Sequence, residues 1–176
     1  METPESLFER WYVRPLRQLQ QLPYGDGGFV ALATSCFLYE RLADALKKQG
    51  RIKGKDRKPF LIDRLIIDFE VDRKTAEAFW FTMRDGLLHG AMPKKATRHE
   101  AEIKPWALRF DFPAMQVILS EGQEILVVQP WLFMEKVLGL WQDNIHLLDK
   151  VDAFPWAKVV PLAIPLREPP MLPTIT

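Results

Sequence analysis

Hydrophobic residues recur every three or four positions over most of the chain, which is the spacing of one face of an α-helix. Four stretches with this spacing precede residue 91, at residues 4–22, 29–48, 59–69 and 72–90. A fifth follows at residues 131–148. The pattern therefore predicts a mainly α fold, a bundle of about four to five helices.

The periodicity changes after the fourth helix. Residues 115–120 and 124–128 are rich in aliphatic residues, and Glu121-Gly122 between them is typical of a hairpin turn. Residues 103–112 predict a third, irregular strand, which Pro105 restricts to an edge of the sheet. We therefore expect a small β-hairpin appendage after the fourth helix.

Several helix ends are predicted by capping residues. Thr3 followed by Pro4 is typical of a helix start, and Pro15 predicts a kink or a break inside that first helix. Gly50 is expected to end the second helix, and Asp72 is expected to cap the fourth.

The fourth helix is apolar on more than one side, which predicts a central position in the bundle. Its main apolar face and a second apolar line consist of Ala76, Phe79, Trp80, Met83, Leu87, Phe81 and Leu88. The same helix ends on Arg84, Asp85 and His89, although arginine and aspartate are rarely buried without a partner. A polar group on an apolar helix is often functional, so these three residues are the first candidates for a site.

Composition is that of a globular protein. Of the 176 residues, 48% are hydrophobic and 27% are charged, so we expect one folded domain over residues 1–160. Residues 161–176 contain five prolines, which predicts an extended or disordered tail.

Cysteine usage and hydropathy favour a soluble cytoplasmic protein. The single cysteine, Cys36, has apolar neighbours, which predicts a buried structural thiol in a reducing compartment. The sequence shows neither a signal-peptide pattern nor an uncharged apolar run of about 18 residues. No membrane contact is expected.

The net charge of +1 gives no global argument for nucleic-acid binding, so any such argument depends on local patches. Two basic clusters supply the candidate RNA-binding residues, namely Lys47, Lys48, Arg51, Lys53, Lys94 and Lys95. They are either solvated loops or a surface that holds phosphates without reading the base sequence.

The spacing of the remaining chemical groups does not support a metal or another cofactor. His89, His99 and His146 are far apart in the sequence, and the chain has no paired cysteines. No serine lies in a Gly-x-Ser-x-Gly elbow, and the glycine-rich turn at residues 24–28 lacks the lysine of a phosphate-binding loop. We therefore expect no metal and no cofactor.

The segment Arg84-Asp85-Gly86-Leu87-Leu88-His89 resembles the signature of the HEPN superfamily, in which an arginine is followed after four to six residues by a histidine. The resemblance covers roughly residues 28–92, and only these six residues are specific. It implies a small helical bundle with the signature in a late helix. Many HEPN proteins are metal-independent endoribonucleases of toxin or defence systems, and others are binding or dimerisation modules.

The resemblance implies catalytic roles for Arg84 and His89, with Asp85 orienting one of them. Histidine can take the proton of an RNA 2′-hydroxyl or protonate the leaving oxygen, and arginine can clamp the phosphate. It also implies a homodimer through the signature helix, with RNA as substrate and an antitoxin or another protein as a partner.

Helix geometry complicates this pair, because five residues of an ideal helix leave Arg84 and His89 roughly 140° apart around the axis. They converge only if Gly86 loosens the last turn, if Arg84 reaches around, or if a second copy completes the site. Two alternatives to a nuclease stay open. One is a non-catalytic HEPN-like module that binds RNA, a nucleotide or a protein. The second is an unrelated helical interaction protein, in which Arg84 pairs with an acid and His89 caps the helix.

Overall fold

A computed structural model describes residues 3–51, 56–94 and 104–149 of the chain. The described residues form five helices and a three-stranded sheet, which confirms the mainly α fold with a small β appendage. The predicted proline-rich tail, residues 161–176, lies outside the described residues.

Three of the helices contain a π-helical segment, in which the turns are wider than in an α-helix. Helix α1 consists of Pro4–Phe8, the π segment Glu9–Val13 and Arg14–Leu19, and helix α2 consists of Gly28–Leu46 and the π turn Lys47–Arg51. Helix α4 consists of Arg73–Ala78, the π segment Phe79–Arg84 and Asp85–Gly90. Helices α3 and α5, which have no π segment, are Arg57–Phe69 and Pro130–Asp143. Strands β1, β2 and β3 are Trp106–Leu108, Met115–Ser120 and Gln123–Val128.

The predicted helix ends are largely confirmed. The Thr3 hydroxyl accepts a hydrogen bond from the Ser6 N–H at 3.2 Å, and the Asp72 carboxylate accepts one from the Thr75 N–H at 2.7 Å. Gly50 has a φ of 74° at the end of α2. Pro15 does not end α1. A π segment precedes it, and the wider turn gives room to the proline ring, which has no N–H to donate.

The sheet has the order β1-β3-β2, with β1 parallel to β3 and β2 antiparallel to it. The predicted hairpin is confirmed, since Glu121 and Gly122 both have positive φ, at 50° and 77°, as in the tight turns that join antiparallel strands. The third strand is also confirmed and lies at an edge. The Val117 N–H donates to the Thr75 hydroxyl at 3.3 Å, which joins β2 to the start of α4.

The prediction that the last helix runs to residue 148 is wrong. Helix α5 ends at Asp143, because the side-chain amide of Asn144 donates to the Leu140 carbonyl at 2.8 Å and takes the place of the next backbone donor. A short 3-10 turn, Ile145–Leu147, continues from there.

The core lies between the helices. Helices α2 and α5 pack side by side, and the indole N–H of Trp141 donates to the Leu38 carbonyl at 2.9 Å. The main apolar face of α4 is buried, as predicted, with Phe79 and Met83 at 1% and 0% exposure. Among the described residues, no helix combines the length and the apolar character that crossing a bilayer requires.

Candidate functional site

The site candidate lies in α4, where a π segment ends at Arg84. The Asp85 N–H donates to the Trp80 carbonyl five residues earlier, so the widened turn comes before Arg84. Residues Asp85–Gly90 then form a regular α-helix. A last turn loosened by Gly86, one of the ways in which Arg84 and His89 could converge, is therefore not observed.

Gly86 has a different role, since it lets the chain that follows α4 cross the helix at close range. A Cβ at this position would lie 2.4 Å from the Lys94 nitrogen and 2.6 Å from the Met92 carbonyl oxygen. The crossing is held by a hydrogen bond from the Lys94 N–H to the Thr82 carbonyl at 2.9 Å. Ala91, with a φ of 57°, makes the reversal that brings the chain back.

Arg84 is held in a buried ion-pair cluster. Its side chain is 14% exposed, its Nε donates to the Glu40 carboxylate, and its terminal nitrogen donates to Asp85 at 2.5 Å. The guanidinium also lies 4.5 Å from the ring centroid of Trp80, a cation–π arrangement. Two carboxylates and an aromatic ring therefore surround the group that the HEPN signature would present to phosphate.

Glu40 connects this cluster to the start of α3. Its side chain is 8% exposed and also accepts from Arg57 at 2.8 Å. Arg57 in turn contacts Asp44 at 3.1 Å, and the Lys94 ammonium lies 4.0 Å from Asp85. The charges of α2, α3 and α4 thus neutralise one another at a single junction.

Electrostatics agree with this geometry. Burial disfavours the charged guanidinium of Arg84, but its hydrogen bonds with Glu40 and Asp85 outweigh burial and raise its pKa. Burial, reinforced by the nearby Glu40 carboxylate, raises the pKa of the Cys36 thiol. As predicted, Cys36 is a buried thiol.

His89 lies apart from this cluster. It is exposed, whereas Arg84 is largely buried, and the regular α-helix between them keeps the side chains roughly 140° apart around the axis. In the described part of the chain, the imidazole has no hydrogen bond or ion pair. Within one copy, the structure does not bring Arg84 and His89 together.

The candidate RNA-binding cations have different surroundings. Lys48 and Lys94 are exposed, and Lys47 is half-buried. Lys53 and Lys95 lie outside the described residues, as does the side chain of Arg51.

A surface that we call the basic corner forms where the end of α2 meets the start of α3 and the π segment of α4. Lys58 at the start of α3 lies 3.8 Å from the ring centroid of Phe81. Counting only residues whose side chains are described, the cations of the basic corner are Lys47, Lys48, Arg57, Lys58, Arg84 and Lys94, and its carboxylates are Glu40, Asp44, Asp56 and Asp85.

Neither Glu40 nor Arg57 was predicted from the sequence to belong to the site. A signal for Glu40 was present, because it follows Cys36 by four residues on the buried face of α2. Arg57 lies in a run of basic residues and carries no distinguishing signal. Glu40 is needed to explain why an arginine can be buried in α4, and Arg57 shares the Glu40 carboxylate.

A second buried carboxylate is satisfied in a similar way. Asp68 accepts from the Tyr39 hydroxyl at 2.9 Å and from the Arg64 Nε at 3.1 Å. Burial raises the pKa of Tyr39, and the Asp68 carboxylate raises it further. Two carboxylates of this bundle, Glu40 and Asp68, are thus buried and bonded to an arginine, and Arg84 belongs to the Glu40 cluster.

Residues that could together hold a metal ion, three or more histidine, cysteine or acidic side chains, do not cluster anywhere in the described ranges. No protein-family model, curated protein or solved structure matches this chain.

Proposed function

We propose that this chain is a HEPN-like module that binds RNA without cleaving it. The observation that carries the proposal is the state of Arg84, whose guanidinium is 14% exposed and bonded to Glu40 and Asp85. Two of its nitrogens are bonded to carboxylates, so clamping a scissile phosphate through these nitrogens would require Arg84 to leave both of them. An uncompensated buried carboxylate is costly, so the exchange is unfavourable.

The basic corner supports RNA as the ligand. Three of its lysines, Lys48, Lys58 and Lys94, are exposed, while its carboxylates are largely engaged by Arg57 and Arg84. An ammonium group can hold a phosphate as a point charge without reading the bases. The proposed binding is therefore electrostatic and independent of sequence.

Salt dependence is the first test. If three lysines each neutralise one phosphate of a single strand, the logarithm of the association constant falls against the logarithm of salt concentration with a slope of about −2. Fluorescence anisotropy with a labelled single-stranded RNA measures this slope. Affinity that does not change with salt would overturn the proposal.

Charge reversal gives the matched comparison. Lys48→Glu combined with Lys94→Glu should weaken binding and bring the slope to about −1 or closer to zero. Lys136→Glu is the control, because Lys136 is exposed on α5, outside the basic corner. An equal loss of affinity in the control would show that the basic corner does not hold the RNA.

A metal-independent endoribonuclease is the second candidate, and the exposed imidazole of His89 favours it. The imidazole has no partner among the described residues and can be reached from solvent, and histidine is the side chain most often used as a general acid or base. The composite site would need a homodimer through α4, in which the half-buried Phe81 and Leu88 contribute to the interface.

A cleavage assay in the presence of chelator separates the two candidates. The binding module leaves RNA intact and keeps its affinity in His89→Ala. The nuclease cleaves RNA under the same conditions and loses that activity in His89→Ala. Cleavage that depends on His89 would therefore replace the first proposal with the second.

A further inference from the structure

Helices α1 and α2 leave an apolar groove of about 500 Å³ between them. Its lining includes Trp11, Tyr12, Leu19, Leu22, Val30 and Thr34. Three of these apolar side chains are well exposed: Trp11 at 38%, Leu22 at 45% and Val30 at 55%. An exposed apolar concavity of this kind is typical of a binding surface.

The chemistry of the groove suits an extended, proline-containing peptide. Trp11, Tyr12 and Pro15 supply flat apolar surfaces, on which proline rings and aliphatic side chains pack. Gln18 and Thr34 are the polar lining residues, and their side chains can bond to the free backbone groups of an extended strand.

The chain itself contains such a segment. Residues 159–166 lie outside the described residues and read Val-Val-Pro-Leu-Ala-Ile-Pro-Leu, an uncharged run between Lys158 and Arg167. We propose that this segment occupies the groove between α1 and α2 of its own chain. The inference is independent of the proposed RNA binding, since the groove does not include the basic corner.

The point at which the described chain ends makes the docking feasible. Trp141 in the last turn of α5 packs on Phe8 with ring centroids 5.6 Å apart, and Phe8 packs on Tyr12 at 5.5 Å. The last turn of α5 is therefore two ring contacts from Tyr12, which lines the groove, and the described chain ends at Asp149, six residues after α5.

The connecting chain is long enough. Nine residues, 150–158, separate Asp149 from Val159 and can span about 28 Å in an extended form. The part of α1 from Phe8 to Leu19 is about 16 Å long. Because the segment is tethered, its effective concentration is in the millimolar range, and a weak intrinsic affinity is sufficient for occupancy.

The test uses the full chain and NMR relaxation of the backbone amides of Leu162, Ala163 and Ile164. Docking predicts order parameters of about 0.8, whereas a free segment gives values below about 0.6. Nuclear Overhauser effects from the Ile164 methyl groups to the Trp11 indole would locate the segment. Low order parameters in the wild-type chain would overturn the proposal.

Two variants and a control localise the effect. Val30→Asp puts a charge in the groove and should lower the order parameters of the segment below about 0.6. Ile164→Asp puts a charge in the segment itself and should lower them to the same level. Ile67→Asp is the matched control, because Ile67 is a 65% exposed aliphatic residue on α3 and does not line the groove. Equal loss of order in Ile67→Asp would contradict docking at the groove.

Dilution distinguishes the chain's own segment from that of a second copy. Order parameters that stay constant over a tenfold dilution support docking within one chain, and order lost on dilution would overturn it in favour of a dimer. The NMR spectrum of Val30→Asp, compared with that of the wild-type chain, shows whether the variant keeps its fold. If Val30→Asp unfolds, Ile164→Asp alone decides, since it leaves α1 and α2 intact.

Discussion

Replacing Arg84 by methionine removes the guanidinium and keeps most of the apolar stem over Trp80. The change leaves Glu40 and Asp85 without their main partner, although both carboxylates stay where they are. If Arg84 is a structural element of the bundle, the free energy of unfolding falls. If Arg84 is a free catalytic group, stability is nearly unchanged and only activity is lost.

The magnitude follows from what each carboxylate retains. Removing one partner of a buried ion pair typically costs about 3–5 kcal/mol. Glu40 keeps Arg57 at 2.8 Å, and Asp85 keeps Lys94 at 4.0 Å, so part of that cost is avoided. We therefore expect Arg84→Met to lower the free energy of unfolding by about 2–3 kcal/mol.

Urea unfolding followed by circular dichroism measures this difference. Arg17→Met is the matched control, because Arg17 also bonds a carboxylate through two nitrogens, at 3.1 Å each, but its side chain is 48% exposed. An exposed pair contributes less than about 1 kcal/mol. A loss in Arg84→Met no larger than that in Arg17→Met would show that the two carboxylates do not hold Arg84 in the bundle.

A double-mutant cycle isolates the contact between α2 and α4. In the Arg84→Met background, Glu40 is a buried carboxylate that keeps only Arg57 as a partner. Glu40→Gln removes that charge. The loss in free energy of unfolding in the double variant should therefore be smaller than the sum of the two single losses, by at least about 1 kcal/mol. Strict additivity would show that the two side chains do not depend on each other.

Three further changes test the geometry around α4. Gly86→Ala should lower the free energy of unfolding in urea by about 1–3 kcal/mol, since its Cβ would meet the backbone of residues 92–94. Gly139→Ala, which has open space around its Cβ, should raise the free energy of unfolding by about 0.5–1 kcal/mol. Ala91→Gly should raise the unfolding midpoint, because Ala91 has a φ of 57°, and a lowered midpoint would argue against this backbone conformation. Asp72→Ala should cost about 1 kcal/mol at neutral pH and Asp72→Asn much less. Hydrogen bonds from Thr75 lower the pKa of Asp72, so its contribution is fully present above the ordinary pKa of an aspartate and is lost as the pH falls through the lowered value. A difference between wild type and Asp72→Ala that persists at low pH would contradict the cap.

The fold follows from sequence wherever the signal is local. Periodicity predicts the helices, Thr3 and Asp72 predict two starts, and Glu121-Gly122 predicts the hairpin, because each of these depends on residues a few positions apart. The end of α5 depends on one side-chain bond of Asn144, and the π segment in α4 has no sequence marker. Those features result from packing, which local patterns do not contain.

The candidate site is predictable in its residues but not in their surroundings. An arginine on an apolar helix face requires a counter-charge, and the sequence offered Asp85 as the adjacent acid. The second acid, Glu40, lies 44 residues earlier and reaches Arg84 only because α2 packs against α4. Contacts at that separation depend on tertiary structure, so the burial of Arg84 could not be deduced from its own helix.

Arg84 and Glu40 also explain each other. Glu40 is 8% exposed and Arg84 is 14% exposed, and two such residues in one small bundle satisfy each other's charge at lower cost than either alone. Pairing them removes Arg84 from the group of polar residues that require a functional explanation. What is left on α4 is His89, which is exposed and lies one turn beyond Asp85. In a single copy, the proposed role of α4 in RNA chemistry therefore depends on His89, because Arg84 is held by Glu40 and Asp85.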